Sequence, residues 1–328
     1  MSDNASAPPT AAPPTAALTV YRLAAVFTFS AVAMGAVVCA TKSGASCPTW
    51  PGCRPDRIAP QWELSPVIEF THRAVAIAAG PLVLAAAVIS GRLPGPSRRV
   101  RILPWVALLA ALASGAFGRL VVVSSLPTWL GAVDLFCALT AMTVMGMAAV
   151  WASTPSGRAT ERSPLESDQR RARTSRLAAA SVTALVTMHV TGIFAAGTGS
   201  YTRCMGWPIW RLIADDLHPW LQGVRLGLAG LSAALVVATA VVAARSERLR
   251  LWGIALATLF AAEMVLGLVI RGGGINDGVA GAYSVLAVAL LWCLGLLTAV
   301  AGAARVVTDP APERPSTPRG ELAEPGRR

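Results

Sequence analysis

The sequence predicts an all-α integral membrane protein: eight transmembrane helices as two tandem four-helix-bundle repeats. Three observations lead there. Charged residues are 14% of the 328, where soluble domains carry about 25%, and the mean hydropathy is +0.57. Apolar runs of about 20 residues, enough to cross a bilayer, recur along the chain. A loop motif, C-x-x-W-P, then appears at the same place in each half. Little polar–apolar alternation is present, which argues against a membrane barrel.

The expected spans are 20–40, 66–90, 102–122, 129–152, 177–197, 219–243, 252–270 and 279–301. In lipid a backbone must satisfy its own hydrogen bonds, so each should be a helix. Their Ala and Gly content suits close helix packing. Residues 1–19, rich in Pro, Ala and Thr, read as a disordered arm without the basic start of a signal peptide. The first half is 20–152, a basic linker is 153–176, the second half is 177–302, and 303–328 is a disordered tail.

The net charge is +11. In a soluble protein this would suggest nucleic acid, but here the arginines sit in alternate loops. Arg92, Arg98, Arg99 and Arg101 follow the second span. Arg158, Arg162, Arg170, Arg171, Arg173 and Arg176 follow the fourth, and Arg245, Arg248 and Arg250 the sixth. The positive-inside rule then places both termini in the cytoplasm of a plasma-membrane protein, with loops 41–65 and 198–218 outside. The expected surroundings are lipid, not nucleic acid; a homo-oligomer is left open.

The outward loops read Cys47-Pro-Thr-Trp50-Pro51-Gly-Cys53 and Cys204-Met-Gly-Trp207-Pro208-Ile-Trp210. Downstream, Pro66 and Pro219 align, pairing Glu69 with Gln222 and His72 with Arg225. Spans three and seven end alike, at Arg119 and Arg271. Each half has an even number of spans, so the halves should be related by a pseudo-two-fold axis along the membrane normal.

Several residues invite chemistry. Ser65-Pro66 reads as a helix start with Ser65 as N-cap, which sets Glu69 and His72 one turn apart on one face. Such groups inside a membrane helix are costly unless used or paired. Histidine is a common haem ligand; the alternative is a structural Glu69–His72 hydrogen bond. Cys47 and Cys53 suit either a structural disulfide or a redox-active pair. Cys204 has no partner in its own loop, and Cys39, Cys137 and Cys293 read as packing thiols within spans. Glu263, Gly267 and Arg271 share a stripe of span seven. Arg119 and Arg271 suit either carboxylate binding, as of haem propionates, or interfacial snorkelling. Asp134 could pair with Arg119 or Arg225. His189 and His218 read as structural.

The run Thr41-Lys-Ser-Gly-Ala-Ser-Cys47-Pro-Thr-Trp50-Pro51-Gly-Cys53, followed by Glu69-Phe-Thr-His72-Arg73, resembles the first half of the haem A synthase family. The resemblance extends over residues 20–302 and is weaker in the second half. It implies eight spans in two halves, and oxidation of the C8 methyl of haem O to the formyl of haem A for cytochrome oxidase. It also implies two haem-ligating histidines per half, a haem B cofactor in one half, and an outward cysteine pair that aids activity or haem transfer. Glu69 takes the place of the family's reactive glutamate, and His72 that of its first iron ligand. Haem O synthase and oxidase assembly factors are the implied partners.

The sequence departs from that pattern at three of four histidines. Arg225 stands in span six, Asp134 in span four and Tyr283 in span eight. Arginine stays protonated and does not normally ligate iron, whereas tyrosinate can. The losses argue against a haem B in the second half. Two readings follow: a haem A synthase-like oxidoreductase using Glu69 and His72, or a non-catalytic haem-binding or oxidase-assembly paralogue. A transporter ranks last, because no broken helix or midplane ion site is evident.

Overall fold

A computed structural model describes residues 14–93, 97–123, 128–154, 165–195, 201–207, 219–273 and 276–303. They form eight long helices: α1 (Thr15–Ala40), α2 (Leu64–Ser90), α3 (Arg98–Val123), α4 (Thr128–Ala152), α5 (Leu165–Ala195), α6 (Pro219–Ala244), α7 (Arg250–Arg271) and α8 (Asp277–Gly302). The remaining regular pieces are two single 3₁₀ turns, Ser43–Ala45 and Tyr201–Cys204. The shortest long helix has 22 residues, about 33 Å at 1.5 Å per residue, so all eight can cross a bilayer. Large apolar side chains such as Leu109, Leu112, Val265 and Leu268 face outward, as lipid contact requires.

Each half closes on itself: α1 packs on α2 and α4, and α3 on α2 and α4; likewise α5 packs on α6 and α8, and α7 on α6 and α8. The halves meet along α4–α8, flanked by α1–α8 and α4–α5. Exchanging α1 with α5 and α4 with α8 maps this interface onto itself. Its centre shows why. A Cβ on Gly146 of α4 would lie 2.9 Å from Trp292 Nε1, and one on Gly295 of α8 would lie 2.8 Å from Thr143 Cγ2. Each glycine thus receives the side chain three residues before the other, a reciprocal small-residue crossing. Phe29 of α1 stacks on the Trp292 ring at 4.5 Å.

The two cores differ in extent. The larger apolar cluster runs the full depth of the second half, from Leu249 and Leu256 to Met188, Ile270, Trp207 and Tyr283, and takes in Ala33, Ala36, Leu139 and Met142 of the first. The first-half cluster holds Tyr21, Val83, Val100 and Met145, all toward the arginine-bearing end of their helices. Toward the cysteine end, the interior of the first half carries no such cluster of its own among the described residues.

Two local expectations change. The α2 helix begins at Leu64 with Glu63 as an unbonded cap, so Ser65 does not cap it. Pro66 lies within the first turn, where its missing N–H has no intrahelical acceptor to lose. The α5 helix begins at Leu165, ahead of the expected 177, and Arg170 Nη1 donates to the Arg245 carbonyl at 3.1 Å. Residues 1–13, the tail beyond 303 and His218 lie outside the described residues.

Candidate functional site

Three positions of α1 and α2 set the histidine. The Ala31 carbonyl of α1 lies 3.1 Å from His72 Nδ1 of α2. One turn on, a Cβ at Gly35 would come 3.1 Å from His72 Cε1, so a larger residue there would push the ring a few tenths of an ångström away from α1. A carbonyl at Nδ1 puts the proton there and leaves the lone pair on Nε2, the tautomer of a metal-ligating histidine. His72 is half-buried, beyond the end of the first half's own apolar cluster.

Glu69 does not bond His72. Its Oε1 accepts from Arg73 Nε at 2.8 Å, the one ion pair among the described residues, and both side chains are about 6% exposed. Glu69 Oε2 is buried without a hydrogen-bond partner. Arg73 also donates to the carbonyls of Cys47 (2.9 Å), Gly52 (3.2 Å) and Thr49. One guanidinium therefore ties the acidic residue of α2 to the whole cysteine loop. A buried charge fully engaged by hydrogen bonds is retained where a bare one would be expelled. The sulfurs of Cys47 and Cys53 lie at disulfide distance, with Cα atoms 4.1 Å apart.

The second half builds the same loop differently. Aligned on the cysteines, Thr49 corresponds to Gly206. Arg225 Nη2 donates to the Gly206 carbonyl at 2.7 Å, as Arg73 does to Thr49. Gly192 of α5 plays the part of Gly35: a Cβ there would lie 3.1 Å from Arg225 Nε. Gln222, at the place of Glu69, donates to the Ala195 carbonyl at 2.8 Å. The position that carries His72 in the first half carries a loop clamp in the second.

Around Arg225 lies a buried polar group. His189, Arg225 and Glu263 are each at most 1% exposed, and Tyr283 is 2%. Arg225 lies within electrostatic reach of His189 and Tyr283, and Tyr283 of Glu263. Both nitrogens of His189, both oxygens of Glu263 and the Trp207 indole nitrogen lack hydrogen-bond partners. Tyr283 Oη looks toward the Trp207 backbone without a bond of good geometry. Among the described residues this group is closed off from solvent, and it offers His189 and Tyr283, not a histidine at the place of His72, as iron-ligating side chains.

The other expected residues separate. Arg119 is exposed at the cysteine end of α3, its guanidinium 5.5 Å from the Trp50 ring centre. Arg271 is exposed at the last residue of α7, while Glu263 and Gly267 face inward, so the stripe does not continue to it. Asp134 pairs with neither arginine; it accepts from Ser114 Oγ at 2.6 Å, because α3 and α4 are packed neighbours. Cys39 is not a free packing thiol. Its sulfur lies at disulfide distance from that of Cys204; Cys137 and Cys293 are free. Among the described residues no group of three metal-ligating side chains converges. Sequence reasoning passed over Arg73 as a clamp, although its i, i+4 spacing from Glu69 was visible.

Fold and site define a two-repeat helical membrane protein with a half-buried histidine, held at Nδ1 by a backbone carbonyl, near one end of its first bundle. The model of the COX15-CtaA family, described as cytochrome oxidase assembly protein, matches residues 19–295, and the chain belongs to this family. No curated protein matches the chain significantly.

Proposed function

We propose that the protein serves cytochrome oxidase assembly by binding haem O in its first half and converting it to haem A. The observation that carries this is the His72 setting: Nδ1 engaged by the Ala31 carbonyl and the ring seated on Gly35, which leaves the lone pair on Nε2. When bound, the haem supplies the oxidising power for taking a methyl to a formyl group. The chain's own residues do the rest. Ala31 and Gly35 fix the tautomer and plane of the ligand. Glu69 Oε2, one turn from His72 and without a partner, would be the group that gives or takes a proton. Arg73 keeps Glu69 and the cysteine loop in register. Arg119, beside Trp50, is the candidate for a propionate at the rim. The cysteine loops face the oxidising side of the plasma membrane, both termini are cytoplasmic, and haem O synthase and assembly factors are the partners.

A second reading is a haem-binding assembly paralogue without catalysis. It is favoured by one observation: Arg225 is committed to the Gly206 carbonyl, so the second half offers no histidine at that position. Extracted haems decide between the two. The protein is purified after co-expression with a haem O synthase, and its haems are separated by chromatography. Haem A or its hydroxylated precursor is the expected product. Haem O alone, with haem O plentiful in the membranes, would leave the second reading standing.

A further inference from the structure

The strongest unused feature lies where the halves touch at the cysteine end. Cys39, in the last turn of α1, and Cys204, ending the Tyr201–Cys204 turn, are 165 residues apart in sequence, with Cα atoms 5.3 Å apart. That separation is within the range a disulfide requires. The pair is packed among Ala40 of α1 and Ala280 of α8, with Cys204 only 5% exposed.

The repeat explains why Cys204 reaches across. Its counterpart, Cys47, closes on Cys53 within its own loop. The residue at the place of Cys53 in the second loop is Trp210, so Cys204 has no local partner, and α1 of the other half supplies one. Both ends of this link are already committed to other structure. On α1, Ala31, Gly35 and Cys39 follow at intervals of four residues; the first two seat the His72 ring. On the loop, Cys204 is followed by Met205, Gly206 and Trp207; Arg225 holds the Gly206 carbonyl, and Trp207 packs edge-on against Phe260 at 5.5 Å.

We infer that Cys39 and Cys204 form a covalent cross-link between the two halves, an oxidative modification that pins the second-half loop to the helix seating His72. Two thiols lose their protons and two electrons, and one S–S bond forms. The electrons reduce the disulfide of a thiol–disulfide oxidant on the oxidising side of the membrane to two thiols. The cysteine loop of the first half is then a local closure, and Cys39–Cys204 the only cystine among the described residues that joins the repeats.

A protease site inserted between residues 155 and 164 of the full-length protein tests this. Thiols are alkylated at lysis, the chain is cut in detergent, and the products are run with and without reductant. The expected result is one full-length species without reductant and two half-length fragments with it. Cys39→Ala and Cys204→Ala should each release both fragments without reductant, while Cys53→Ala should not. Should a substituted chain fail to fold, mass mapping of the cut wild-type protein still identifies the joined peptides. Fragments that separate without reductant, or a link that survives Cys39→Ala, would overturn the inference. The readout uses no haem, so it is independent of the function proposed above.

Discussion

The two halves share one architecture and have divided its tasks. In the first, consecutive residues do two jobs: His72 bonds the Ala31 carbonyl through Nδ1, and Arg73 holds the cysteine loop by its carbonyls. In the second, Arg225 occupies the aligned position of the histidine and performs the arginine's job, bonding the carbonyl that matches Thr49. The residue after it, Leu226, is exposed. The loop contact is therefore present in both halves, while the histidine is present in one. The lesson is that a histidine-to-arginine difference between repeats is not mere decay. It preserves a contact that the fold uses and drops the one on which the proposed chemistry rests.

Breaking the clamps should have the largest effect. Arg73→Ala strands Glu69 without its partner and frees three loop carbonyls; removing one member of a buried pair costs about 3–5 kcal/mol. Arg225→His tests the same comparison from the other side. It restores the residue type of the first half but abandons the Gly206 carbonyl, so thermal melting in detergent should fall and haem content should not rise. A rise in bound haem would show that the second half retains a cradle.

The glycines sharpen the contrast with a smaller effect. Gly35→Ala and Gly192→Ala each push a Cβ to 3.1 Å from the facing side chain, an overpacking worth about 1–3 kcal/mol. Both should lower the melting temperature, but only Gly35→Ala should weaken haem retention, because only it displaces His72. Equal haem loss in both variants would contradict the assignment of the site to one half.

Much of this was legible in the sequence. Bilayer thickness sets a helix length that hydropathy reveals directly, so all eight spans could be placed. The C-x-x-W-P repeat located the loops, and the proline alignment paired His72 with Arg225. What stayed hidden involves partners without a sequence signature. His72 is oriented by the carbonyl of Ala31, and any residue offers a carbonyl. Cys39 looks like an apolar packing residue until α1 and the Tyr201–Cys204 turn meet in space. Asp134 is near two arginines along the repeat pattern, yet its bond goes to Ser114, one helix away. Pro66 suggested a cap at Ser65, but the first turn tolerates proline at more than one position.

The central claim is that only the first half holds haem, through His72. The most direct measurement is the haem-to-protein ratio of the purified full-length protein, with the absorption and electron paramagnetic resonance spectra of its iron. The account predicts no more than one haem per chain, lost in His72→Ala and retained in Tyr283→Phe. Two haems per chain, or haem retained by His72→Ala and lost in Tyr283→Phe, would contradict it.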